Sequence, residues 1–139
     1  MSMPFEELEH TADVKMRICG TGFDGLLQES GFALSRVLYG DYPEEPCTLS
    51  CEIDASGDSP EEFCVNFLSE LLFLFETEYL VPMQFSLQIS GLSVSGTVSG
   101  VSFNRNKHAG GIGVKGISYS GLSLTQTNTE YELIIIFDI

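Results

Sequence analysis

The sequence predicts an α+β fold in which a mixed or mostly antiparallel β-sheet packs in two layers with two amphipathic helices. Apolar residues recur at helical spacing in two stretches, 24–39 and 59–78. Much of the remaining chain alternates apolar and polar residues with a period of two. The final run LIIIF (133–137) is continuous enough for a central strand covered on both faces. No linker or internal repeat interrupts the pattern, so residues 1–139 read as one domain, long enough to bury a core.

Val14, Met16 and Ile18 alternate with Lys15, Arg17 and Cys19, which predicts a half-buried first strand ended by GTG (20–22). From Asp24 to Tyr39 the period changes to that of a helix. Leu26, Leu27, Ala33, Leu34, Val37 and Leu38 share its apolar face, and Gln28, Glu29, Ser35 and Arg36 lie outside. Gly25 and Gly31 each weaken this helix by about 1 kcal/mol relative to alanine. GDYPEEP (40–46) reads as a loop, CTLSCEI (47–53) as a strand and DASGD (54–58) as a turn.

The second helix has the strongest local signal. Ser59 is a good N-cap, Pro60 suits the first helical position and Glu62 closes an S-x-x-E capping box. Acids in the first turn favour the helix dipole. Phe67, Leu68, Leu71, Leu72 and Phe75 form a wide face for core packing. After Pro82 the chain reads as β structure: QFSLQI (84–89), LSVSGTVSGVSF (92–103), the short strands VKGISYS (114–120) and LSLTQ (122–126), and YELIIIFDI (131–139). NRNKHAGGIG (104–113) is a flexible connection between them.

Composition narrows the function classes. A hydrophobic fraction of 43% is too high for a disordered chain. No segment reaches the roughly 18 uninterrupted apolar residues of a membrane helix, and MSMPFEELEH lacks the pattern of a signal peptide, so a cytoplasmic protein is expected. Cys19, Cys47, Cys51 and Cys64 then read as small buried apolar side chains rather than a disulfide framework or a zinc site. The net charge of −14 argues against general nucleic-acid or anionic-membrane binding. Residues 1–80 hold 17 of the 20 acids and 3 of the 6 basic residues, whereas residues 81–139 are neutral. The later basic residues, Arg105, Lys107 and Lys115, lie near His108, either as a solvated face or as a contact for a small anion or a partner.

Few residues are suited to chemistry. HAGGIGVKG lacks the spacing of a phosphate-binding P-loop and is not followed by a helix, and no GxSxG elbow marks a serine hydrolase. Two acidic features remain. Asp13 precedes the first strand, and Asp138 ends the last one beside the terminal carboxylate of Ile139. If those strands are neighbours, the three groups converge and need a cation between them. Hard oxygen ligands select Ca²⁺, Mg²⁺ or Mn²⁺. His10 would hydrogen-bond a carboxylate or join the metal ligands. The alternative is a plain turn and a frayed tail. Such a site fits a metal-dependent hydrolase or phosphotransferase, and the apolar helix with the serine-rich strands equally fits a non-catalytic, chaperone-like binding module.

In order along the chain, EHTADVKMRICG, the amphipathic first helix, VNFLSELLFLFETE, GVKGISYSGL and the terminal IIIFDI together resemble the archease family. The resemblance implies a small acidic protein with a fold of sheet and helices. It implies an activator of an RtcB-type RNA ligase, acting in tRNA splicing and processing or in RNA repair, and not an enzyme itself. That ligase joins RNA ends bearing a 3′-phosphate or 2′,3′-cyclic phosphate to a 5′-hydroxyl, using GTP and Mn²⁺, after guanylylation of a histidine. The activator promotes guanylylation and multiple turnover. By position, the family's metal site falls on Asp13, Asp138 and the carboxylate of Ile139, with His10 in the same motif. Lys115 matches the family's strand lysine. The chain departs from the pattern after that lysine, where Ser118, Tyr119 and Ser120 leave out a histidine. It also departs at the start of the first helix, where Gly22 replaces a capping threonine.

Overall fold

The computed structural model describes residues 4–8 and 13–139. Along the chain run β1 (Phe5–Leu8), β2 (Val14–Thr21), α1 (Gly22–Tyr39), β3 (Leu49–Ser56), α2 (Pro60–Glu78), β4 (Leu80–Ser90), β5 (Ser93–Ser102), the one-turn helix α3 (Arg105–His108), β6 (Gly116–Thr127) and β7 (Glu130–Asp138). The α+β class with two main helices is as expected. The strands divide between two sheets, ordered β1-β2-β7-β6 and β3-β5-β4, and every described pairing is antiparallel. Helix α1 packs on β2 and β7 of one sheet and on β4 of the other, while α2 packs mainly on β3 and β6. The core therefore lies where the helices meet both sheets. None of the helices among the described residues is long and apolar enough to cross a membrane.

Strand β7 is central in its sheet, as its apolar run predicts. Leu133, Ile135 and Phe137 face the main core, whereas Ile136 is buried on the opposite face. Helix α2 follows its sequence signals closely. The Ser59 side chain accepts a hydrogen bond from the Glu62 amide at 3.1 Å, Pro60 opens the helix, and Phe67, Leu68, Leu71, Leu72 and Phe75 are all buried. Burying one such side chain is worth about 1.5–3 kcal/mol.

Helix α1 starts earlier than its periodicity suggests. Thr21, not Gly22, is the N-cap, and its side chain makes no capping bond; its hydroxyl donates instead to Glu130 at 2.6 Å. Gly22 has a φ of +73°, a turn that glycine adopts without strain, and its amide donates to the Thr129 carbonyl at 2.7 Å. The β6–β7 turn thus holds this helix end. Gly31 is more than a weak helix former. A Cβ there would sit 2.5 Å from Phe85 Cζ, so glycine permits the close approach of α1 to β4, where the Phe32 and Phe85 rings meet edge to face at 4.9 Å. Ser35, expected outside, is buried; its hydroxyl bonds the Phe32 carbonyl and the Tyr42 hydroxyl.

Other expectations change. The edge strand β1 is absent from the sequence reading, because FEEL is short and half acidic. VKGISYS and LSLTQ form a single strand, β6, with a register shift between Ser118 and Ser123. Only Cys64 is fully buried; Cys19 is half-buried on the face of β2 away from the core, Cys51 is half-buried on the core-facing side of β3, and Cys47 is exposed in the loop before β3. Burial pushes the Cys64 thiol up to about 12, and burial with nearby carboxylates raises Cys19 and Cys51.

Candidate metal centre

The β2–β7 ladder decides where the two acidic ends go. Val14 pairs with Phe137, and this register continues through Thr21 and Glu130. Both Val14 and Phe137 face the main core. Asp13 immediately precedes Val14 and Asp138 follows Phe137, so both aspartates lie at the same end of the sheet, and the pleat turns Asp138 to the helix-distal face. Both are half-buried. Ile139 is 40% exposed, one residue beyond. The Asp138 backbone is anchored: its carbonyl accepts from the Lys115 amide at 2.7 Å, and it pairs with Gly116. The tail is therefore tied into the ladder up to Asp138. The segment leading into β6 also brings Lys115 to this end, with an exposed side chain. His10 lies outside the described residues.

Carboxylates brought to one end of a sheet repel one another. Lys15, opposite Ile136, lies on the same face of the sheet as Asp138; with Lys115 it brings positive charge to this end. No trio of His, Cys, Asp or Glu side chains forms a metal cage among the described residues. The candidate set instead combines two side-chain carboxylates with a terminal one. All are oxygen donors, which suits Ca²⁺, Mg²⁺ or Mn²⁺ and not Zn²⁺. Ca²⁺ takes about 6–8 oxygens, so such a set leaves positions for water or for another molecule's oxygens.

The connection from β5 to β6 is pinned, not flexible. His108 is 1% exposed. Its Nδ1 accepts from the Asn104 amide at 2.8 Å, which assigns the proton to Nε2, and Nε2 donates to Glu45 at 3.1 Å. Lys107 donates to the other Glu45 oxygen at 3.0 Å. The Lys107 hydrogen bond, aided by His108, holds the Glu45 carboxyl below the usual range. Farther on, the amides of Gly110 and Ile112 donate to the carbonyls of Tyr39 and Val37, satisfying the last turn of α1. Lys107 and His108 are thus committed to Glu45. Sequence periodicity gives no sign of this latch, because Glu45 and His108 are 63 residues apart. At the departure from the family pattern, the Ser118 hydroxyl accepts from the Ser120 amide at 3.0 Å, and exposed Tyr119 lies within the register shift.

Residues 5–139 match the model of the Archease protein family (MTH1598/TM1083). The chain is a member of the archease family. A Drosophila melanogaster protein archease-like is 34% identical, covering 99% of this chain and 91% of that protein. The protein archease of Danio rerio is 27% identical, covering 97% of this chain and 85% of the relative. Among solved structures, a solution structure from Methanobacterium thermoautotrophicum superposes with a TM-score of 0.76 at 19% identity, covering 98% of this chain and 99% of that one. A crystal structure from Thermotoga maritima, described as an archease and possible chaperone, gives 0.65 at 18% identity, covering 96% of each chain. These likenesses bear out the family expectation and the archease fold.

Proposed function

We propose that this archease promotes guanylylation and multiple turnover of an RtcB-type RNA ligase, in tRNA splicing or RNA repair, as a cytoplasmic, single-domain accessory protein without catalysis of its own. The carrying observation is a family match that spans both acidic ends of the chain, residues 5–139. The reading is supported by the shared end of the sheet at which the β2–β7 register sets Asp13 and Asp138.

In this reading Asp13, Asp138 and the Ile139 carboxylate hold one hard divalent cation, with His10 and Lys115 beside it. The cation would supply a Lewis-acidic positive charge to which phosphate oxygens are drawn. The chain's own residues do the positioning. The β2–β7 ladder would hold the two aspartates at one end of the sheet, and the Lys115 amide bonds the Asp138 carbonyl. The acidic surface disfavours RNA, so the partner is the ligase rather than its substrate.

The test is ligase guanylylation by GTP in the presence of wild type, Asp13→Ala or Asp138→Ala. Stimulation by wild type and its loss in folded variants is the expected outcome; equal stimulation by all three removes the proposed role of the site. GTP or RNA turnover by the purified protein alone, lost in Asp13→Ala, would instead favour a metal-dependent hydrolase or phosphotransferase.

A further inference from the structure

An apolar groove of about 410 Å³ opens where α2 ends, lined by Leu38, Tyr39, Phe75, Glu76, Tyr79 and Phe103. Its floor is an aromatic cluster: the Tyr39 ring lies 6.2 Å from Phe75 and 5.8 Å from Phe103. Phe103 is 40% exposed and Tyr79 is 66% exposed.

Tyr79 is the telling residue. It caps α2 with a φ of +54°, the left-handed conformation that glycine ordinarily supplies at a helix end. A bulky side chain there is strained. The conformation ends the helix, but the ring gives little packing in return, because most of it faces solvent. The Tyr79 carbonyl accepts from the Phe103 amide at 2.8 Å, so the two exposed rings flank one hydrogen-bonded junction.

We propose that this groove is a docking surface for the ligase, and that it receives an apolar ligase segment bearing an arginine or lysine. This rests on the function proposed above. The occupant follows from charge. Glu76 is the only charged residue in the lining, Glu78 immediately precedes Tyr79, and the chain as a whole carries −14. A cationic side chain can lay its aliphatic stem on the exposed part of Phe103, set its charge over the Tyr79 ring and reach the Glu76 carboxylate. A nucleic-acid backbone is repelled by the same acids. The groove is also tied to the carboxylate end of the sheet. The segment from Phe103 runs through the pinned α3 connection to Lys115, whose amide bonds Asp138.

The test is the dissociation constant of the purified ligase for full-length wild type, Tyr79→Gly and Glu76→Lys, with thermal midpoints measured alongside. Glycine relieves the left-handed strain, so Tyr79→Gly is expected to fold with an unchanged or higher midpoint while binding the ligase at least tenfold more weakly. Glu76→Lys is expected to weaken binding similarly and to reduce its salt dependence. Wild-type affinity in both variants overturns the docking site; if wild-type stimulation of guanylylation is lost only in Asp138→Ala, the proposed function survives that result. Failure of the wild-type chain to bind the ligase overturns both readings. Binding of a single-stranded RNA probe that Tyr79→Gly abolishes overturns the assignment of a protein occupant.

Discussion

Val14 and Phe137 face each other across the β2–β7 ladder, and the next residue outward on each side is an aspartate. A one-residue slip in this register would move Ile135 and Phe137 out of the core, so burial itself fixes the alignment. The placement of Asp13 and Asp138 at one end of the sheet is therefore coupled to the buried apolar run of β7. The Asp138 backbone is tied into the ladder and not frayed.

The Glu45 latch predicts a specific acid response. Its carboxyl is held low in the folded state, chiefly by Lys107. The stabilisation is complete above the unfolded glutamate value of about 4.3 and is lost as pH falls through the lower folded value. Thermal midpoints measured from pH 3 to 6 should decline less steeply for Glu45→Gln than for wild type at the acid end, from a lower starting point at pH 6. Parallel curves would mean that the latch contributes nothing to stability.

Thiol chemistry should separate the cysteines. Cys47 is exposed, whereas the Cys64 thiol is buried and pushed up to about 12. Thiolates are the reactive form. Alkylation at pH 8 followed by peptide mass spectrometry should label Cys47 first and leave Cys64 unmodified until the protein unfolds. Early labelling of Cys64 in the native protein would contradict the packing of α2.

Gly111 should resist substitution. A Cβ at this position would lie 2.3 Å from both the Leu38 carbonyl carbon and the Val37 oxygen, all main-chain atoms of α1. Gly111→Ala must therefore push the connection off the helix end and strain the bond from the Ile112 amide to Val37. Urea denaturation should show a loss of about 1–3 kcal/mol, the usual cost of overpacking. Unchanged stability would show that the connection is not pinned there.

Much of this architecture is legible in the amino-acid sequence because it rests on local rules. Ser59, Pro60 and Glu62 announce α2, and LIIIF announces a central strand, since capping and burial each leave a pattern within a few residues. What periodicity misses depends on distant partners. Gly31 reads as a helix defect until Phe85 stands against it, and His108 reads as one of a loose basic group until Glu45 reaches it from the other side of the chain. Thr21 acquires its place at the α1 N-terminus from Thr129 and Glu130. The acidic site divides the same way: Asp13 and Asp138 are visible as residues, but only the register brings them to one end. Lys15, on the same face as Asp138, lies hidden within an ordinary alternating strand.

The proposed function assigns Asp13 and Asp138, at one end of the β2–β7 ladder, the stimulation of an RtcB-type ligase. The most direct measurement is the single-turnover rate of guanylylation of a purified RtcB-type ligase with GTP, alone and with wild type or Asp138→Ala of confirmed fold. The account predicts a faster rate with wild type and a rate near that of the ligase alone with Asp138→Ala. Full stimulation by the variant would contradict it.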